Sequence, residues 1–303
     1  METLTVSTLI VSQQEPEHLK TLNAAVRNAQ PGTRILVRPG LYRESLVLDK
    51  PLEIIGDGPR EKIIIESTEA YCVLVQTEHA LLRGLTIRSQ VGLKGNKYYA
   101  LEIVQGRPLI EDCDITSDTF ACVAVHGPVA NPILRGCHIH DGGGVGISFY
   151  EGGRGVVEEC DIFANKYAGI EICEESAPIL RRCQIHHNRG DGIWVYHNGQ
   201  GTIEDCMIFD NARAGVRFEQ GSHVAIQGGL IRDRIITYQV NPGLARRWTL
   251  GGAMVGALIL GIIGRNLLGA LLGAMLGALI GAIIAGAISG MLGSTGPAPD
   301  RPG

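Results

Sequence analysis

Four stretches of this chain are one motif written four times: PILRGCHIH at 132–140, GVVEECDIF at 155–163, PILRRCQIH at 178–186 and GTIEDCMIF at 201–209. A second motif alternates with it, as GISFY at 146–150, GIEIC at 169–173, GIWVY at 192–196 and GVRFE at 215–219. Cys113, Cys137, Cys160, Cys183 and Cys206 fall at spacings of 24, 23, 23 and 23. Gly146, Gly169, Gly192 and Gly215 keep a constant 23, as do Asn165, Asn188 and Asn211. One period beyond Asn211 stands Arg234, and its neighbour Asp233 takes the role if the last turn is one residue shorter.

A unit of this length holds short β-rich runs and turns, with no room for a helix. It cannot bury its own apolar side, but units stacked about 4.8 Å apart bury like residues against like. The repeat therefore predicts an all-β parallel coil with Ile, Val, Leu and Cys pointing inward. The Asn column is expected at a bend, bonding to neighbouring rungs and tolerating left-handed backbone. The Gly column is expected at another bend that needs permissive backbone angles. The cysteine column reads as small, soft core packing rather than a metal or disulfide framework. None of the eight cysteines forms a CxxC pair, and no cofactor is implied.

Upstream, RILVR, ESLVL, LEIIG, KIIIE, CVLVQ and LLRGLTI read as further strands, punctuated by Pro39-Gly40, Gly56-Asp57-Gly58 and Gly84. Leu85 holds the cysteine column one rung before Cys113, and VGLKGNKYY absorbs the longer spacing. Before the strands, PEHLKTLNAAVRNAQPG shows helical periodicity through Leu19, Leu22 and Val26 and then a Pro-Gly stop. Such a helix would cap the end of the coil, where bare strand edges invite association.

The opening HLKTLNAAVRNAQPGTRILVRPGLYRESLVLDKPLEIIGDG resembles the N-terminal signature of the pectin-lyase-like superfamily. The repeat half is similar to NosD-type and CASH-type β-helix repeats, and to the β-helix half of the F-box-only ubiquitin-ligase substrate receptors. The resemblance spans about residues 8–236 and implies a right-handed, single-stranded parallel β-helix. No F-box or zinc-finger segment is present, so ligase assembly does not carry over. The fold hosts unrelated functions, so the resemblance alone implies no activity.

Polysaccharide-active β-helices carry clustered acids in a groove, and two carboxylates must flank the scissile bond. Here the acidic pairs Glu111-Asp112, Glu158-Glu159 and Glu204-Asp205 alternate with Arg135-Gly136 and Arg181-Arg182. The column Arg83, Glu111, Arg135, Glu158, Arg181, Glu204 changes sign on every rung. That is a stacking device, because opposite charges on neighbouring strands attract. The column His140, Phe163, His186, Phe209 places its histidines two rungs apart, about 9.6 Å by stacking and too far for one ion. His138 and His140 could approach an ion together only from one shared face. We therefore assign no catalytic and no metal residues. Trp194 aligns with Ser148, Glu171 and Arg217 in an outward column, while Phe149 and Val195 point inward. Trp194, Tyr196, His197, Tyr150, Glu171 and Arg217 are the candidate binding residues, a hot spot of the kind that takes a peptide or a sugar.

Residues 248–293 contain a single charge, Arg265. Trp248 to Gly264 runs 17 residues without a charge and Leu267 to Gly293 runs 27, where about 20 span a bilayer. One continuous helix would be about 69 Å long, so a transmembrane hairpin turning at Arg265-Asn266 is the first expectation and a single span with an interfacial first helix the second. Gly269, Gly273, Gly277 and Gly281 recur every four residues, a glycine zipper that lets helices in lipid approach closely. It could pair with the first leg or with another copy, as a homo-oligomer. Arg232, Arg234, Arg246 and Arg247 precede the tail, and basic flanks favour the cytoplasmic side. METLTVSTLIVSQQEPEHLK lacks a basic stretch followed by an apolar one, so no signal peptide is expected.

The expected organisation is an N-terminal strand and capping helix at 1–30, the β-helix at 31–234, a linker at 235–247, the glycine-zipper transmembrane region at 248–293 and a disordered tail at 294–303. A formal charge of −4 argues against a nucleic-acid partner. The expected function is a membrane-anchored, non-catalytic β-helix scaffold facing the cytoplasm, with the bilayer and a protein as partners. The alternatives are a carbohydrate-active enzyme and a glycine-zipper pore or membrane-remodelling protein.

Overall fold

Each period of 23 residues folds as one turn of a right-handed parallel coil. The computed structural model describes residues 6–92, 98–219 and 221–238. One turn carries three short strands, such as Ile133–Arg135, His138–His140 and Ile147–Tyr150. The next repeats them as Val156–Glu158, Asp161–Phe163 and Ile170–Ile172. Like strands pair in register, so Ile133 lies on Val156, Val156 on Ile179 and Ile179 on Thr202. The result is one ten-stranded sheet and two nine-stranded sheets, here called first, second and third in chain order within a turn.

The core is the inside of the coil. Leu134, Val157, Leu180 and Ile203 line it from the first sheet, and Ile139, Ile162, Ile185 and Ile208 from the second. Ile147, Ile170, Ile193 and Val216 line it from the third. Burying each such side chain stabilises the fold by roughly 2 kcal/mol. The cysteine column, Cys113, Cys137, Cys160, Cys183 and Cys206, lies inward at the turn from the first sheet to the second; these five thiols, like those of Cys72, Cys122 and Cys173 beside the third sheet, are free and buried. Burial pushes the Cys122 thiol up to about 12.

Both tight turns use left-handed backbone, but not where the sequence suggested. Before the cysteines, Asp112, Gly136, Glu159, Arg182 and Asp205 have φ of 49 to 58°. At the second turn it is Asp141, Ala164, His187 and Asp210, at 50 to 56°, that adopt it, each one residue ahead of the Asn column or its counterpart. The asparagines instead turn inward as a ladder. Asn165 donates through Nδ2 to Oδ1 of Asn188 at 2.9 Å, and Asn188 donates likewise to Asn211. Asp233 closes the ladder, accepting from Asn211 Nδ2 at 2.9 Å.

The Gly column is also corrected. Gly146, Gly169, Gly192 and Gly215 show no positive φ. A Cβ at Gly192 would lie 2.6 Å from the carbonyl oxygen of Gly215 and 2.9 Å from Nδ2 of Asn211. These glycines are there for close approach between rungs, not for backbone freedom.

The N-terminal helix is shorter than its periodicity suggested, spanning Leu22–Asn28. Thr21 takes an extended conformation and caps it, accepting from the N–H of Ala24. Leu19 is instead bridged to Val11. Two strands went unread: Gly40–Arg43, masked by its Pro-Gly start, and Leu101–Gln105 after the long loop. The expected linker begins too early, because Ile235–Tyr238 is a strand paired with Val216–Glu219.

The chain divides into two units, Met1–Tyr238 and Gln239–Gly303. The second lies outside the described residues, and with it fall the expectations of a transmembrane hairpin and of a zipper at Gly269, Gly273, Gly277 and Gly281. Among the described residues no helix is long and apolar enough to cross a membrane.

Candidate functional site

Outward-facing residues of the third sheet form the floor of a groove of about 750 Å³. Strand register fixes the order along it: Ala124, Ser148, Glu171, Trp194 and Arg217 stack in one column. Tyr150 and Tyr196 stand beside that column, each one residue past an inward position, Phe149 or Val195. Five of the six residues expected from the sequence thus line one groove. The sixth, His197, sits against Tyr196 with ring centroids 4.8 Å apart and is not part of the lining.

The floor is a connected polar and aromatic network. Trp194 and Tyr196 stack at 4.3 Å, and the Arg217 guanidinium lies over the Trp194 ring at 4.4 Å. Arg217 also pairs with Asp191 at 2.6 Å, and Asp191 accepts from the backbone N–H of Ala214. Glu171 accepts from the Tyr196 hydroxyl and from Ser148 Oγ at 3.2 Å. Trp194 Nε1 donates to Glu219 at 3.3 Å. Burial, then the adjoining Glu171, pushes the Tyr196 phenol well above its usual range. Burial also raises Tyr150, whose hydroxyl lies 3.3 Å from that of Tyr99. The Tyr196 phenol thus donates to Glu171, while either hydroxyl of the Tyr99–Tyr150 pair can donate to the other.

One wall comes from the turn between the second and third sheets. The column Phe120, Gly144, Tyr167, Gly190, Arg213 runs along it, Phe120 being 44% and Tyr167 58% exposed. Backbone bonds hold the column, from Tyr167 N to Gly144 O and from Gly190 N to Tyr167 O. Lys166, Arg189 and Arg213 oppose Asp118, Glu174 and Asp191, so the lining mixes both signs. These wall residues went unread because no single residue type holds this one column of the turn, which reads Phe, Gly, Tyr, Gly, Arg. The signal was there in the register, since Phe120 and Tyr167 obey the same period as the cysteines.

A second aromatic run lies on the second sheet. His140, Phe163, His186 and Phe209 stack face to face at 4.7, 5.4 and 4.8 Å. This is a continuous column, bound to carboxylates on its flank. His140 pairs with Asp114 at 3.2 Å and Asp141 at 2.7 Å, and His186 with Asp161 at 2.8 Å. The hydrogen bond to Asp114 raises the His140 imidazole above its ordinary range, against the effect of burial. Burial, the largest single influence, pushes Asp114 up, but the bond from His140 and the positive charges around it, Arg60 among them, together outweigh it and leave that carboxyl below its ordinary range.

His138 and His140 do share the outward face, both directed at Asp114. The Arg60 guanidinium lies 3.1 Å from His138 Nδ1, however, a cation where an ion would have to sit. Among the described residues, three potential ligand atoms come within 4.8 Å of one another only at Glu15, Glu17 and His18. Arg38 Nε stands 3.8 Å from Glu15 there.

The coil is similar to solved structures of carbohydrate enzymes. One is a pectin methylesterase mutant in complex with a hexasaccharide, at 13% identity and a TM-score of 0.52, covering 80% of this chain and 96% of that one. Another is the pectate lyase Pel9A, at 12% identity and a TM-score of 0.54, covering 73% of this chain and 69% of that one. At such identity the likeness shows the shared fold. The family described as the right-handed β-helix region matches residues 65–231. With its rungs, ladders and register matching that description over more than half its length, this chain belongs to the right-handed β-helix family.

Proposed function

We propose that this chain is a membrane-tethered scaffold whose groove recognises an extended ligand, a protein segment, without turning it over. The observation that carries this reading is the floor network. Donors already hold Glu171, Asp191 and Glu219, namely Tyr196, Ser148, Arg217, the Ala214 N–H and Trp194. Those carboxylates therefore shape the floor, and what is offered to a ligand is aromatic faces with a rim of mixed charge. Buried aromatic and arginine anchors of this kind dominate recognition energies. Tethering rests on the apolar stretch 248–293, where Gly269, Gly273, Gly277 and Gly281 recur every four residues, and on the basic residues before it, which favour a cytoplasmic coil.

A second reading is favoured by the fold likeness and by the stacked rings on the floor: a carbohydrate-active protein that binds a glycan in the same groove. One experiment addresses both. The full chain, extracted in mild detergent, is used as bait in source lysate and incubated in parallel with a polysaccharide panel. Trp194→Ala is the matched control. A protein retained by wild type and reduced about tenfold or more by Trp194→Ala, near 1.4 kcal/mol, supports the scaffold. Release of sugar that Trp194→Ala abolishes would replace it with the enzyme reading.

A further inference from the structure

The two ends of the coil are finished differently. At the N-terminal end the helix Leu22–Asn28 lays Leu22, Ala25 and Val26 on the core. Its first N–H groups, at Leu22 and Asn23, donate to the Glu44 carboxylate at 2.8 Å. At the other end, His223–Gln227, Leu230–Ile231 and Ile235–Tyr238 each terminate a sheet, with a neighbour on one side among the described residues. Ile226 and Ile235 occupy inward positions, yet are 37% and 50% exposed. The residues beneath them, Ile203 and Val216, are 2% and 0% exposed. Among the described residues nothing covers the coil's interior at this end.

The charges of this rung, Arg232, Asp233 and Arg234, stand in the turn before its last strand. None of these three strands carries an Asp, Glu, Lys or Arg. The column that alternates sign from Arg83 to Glu204 ends on Gln227. Sheet edges that must remain unpaired are normally blunted by charge, proline or a cover. Three uncharged edges over an apolar interior are built to be paired.

What pairs with them must supply backbone donors and acceptors as well as apolar side chains. Lipid offers neither donor nor acceptor, so a strand edge seated in it would stay unsatisfied. With 248–293 in the bilayer, the reading proposed above on which this step rests, only residues 239–247 of the chain itself remain between Tyr238 and Trp248, and Pro242 among them lacks an N–H. One short segment cannot serve three edges. A second copy can. A twofold axis perpendicular to the coil brings the same three edges together and reverses their direction. The junction is then antiparallel, a pairing that sheets accept. We infer that two copies of this chain join end to end through the last rung of the coil. The contact is isologous, and because the helix covers the other end the assembly closes at two.

The test uses the full chain in density-matched detergent micelles, by sedimentation and by amide exchange over residues 223–238. Wild type should sediment as a dimer with slow exchange there. Ala225→Lys combined with Gln227→Lys places charge on outward positions and leaves the coil interior intact. It should weaken the dimer by about tenfold or more and speed exchange in those strands. Gly273→Leu combined with Gly277→Leu should leave the dimer in place. A dimer lost in the glycine pair but kept in the lysine pair would move the contact to the tail and overturn the inference. So would monomeric wild type, which with slow exchange would place the chain's own tail or detergent over the end.

Discussion

At the scale of the residue, the Asn ladder shows how a polar side chain can be both buried and specific. Asn188 is 1% exposed, and its amide is fully engaged. Oδ1 accepts from the backbone N–H and the Nδ2 of Asn165, while Nδ2 donates to Ile162 O and Asn211 Oδ1. Asn188→Ala would strand those partners in an apolar turn, and each unsatisfied buried group costs about 1–3 kcal/mol. We expect a loss of roughly 3 kcal/mol in urea unfolding, with water that enters the gap recovering part of it. Asn188→Asp should be no rescue, because a carboxylate cannot donate to Ile162 and Asn211. The inward cysteines have no comparable role. Their thiols bond weakly to carbonyls, such as Cys160 Sγ to Glu158 O at 3.3 Å.

At the scale of the element, the turns separate two uses of glycine that look alike in sequence. Gly136 has φ of +58° and nothing within 4 Å of where a Cβ would stand, and its column elsewhere holds Asp112, Glu159, Arg182 and Asp205. Gly192 has ordinary backbone but faces the Gly215 carbonyl oxygen and the Ile208 side chain, at 2.6 and 2.8 Å from a Cβ. Gly136→Asp should therefore change stability by no more than about 1 kcal/mol, the scale of the left-handed backbone cost. Gly192→Ala should cost about 3 kcal/mol by forcing neighbouring rungs apart. Urea unfolding of the two variants side by side checks the ordering, and equal effects would contradict this account of the Gly column.

At the scale of the whole molecule, the coil is a one-dimensional stack whose ends decide its behaviour. The N-terminal helix is the element that keeps association finite. Leu22→Asp would put a charge where the side chain is now fully buried on the core and lift the helix off the first strands. With both ends open, sedimentation should then show species longer than a dimer, and electron microscopy should show end-to-end rows. A folded variant confined to dimers would show that the helix is not what closes that end. Much of this molecule was legible beforehand. A 23-residue period in Cys, Gly and Asn determined the coil, its register and the inward and outward sense of the strands in the repeat half, because each rung can bury its apolar side only against a copy of itself. It even placed Trp194, Tyr196, Tyr150, Glu171 and Arg217 on one surface. What repetition could not specify is what happens where residues do not repeat. The groove wall of Phe120, Tyr167 and Arg213 rises from a turn position that no single residue type holds, and the carboxylates on the floor are held by partners 20 or more positions away. Whether a glycine serves a turn or a close approach likewise depends on atoms brought together from different rungs, and only the tertiary structure decided it.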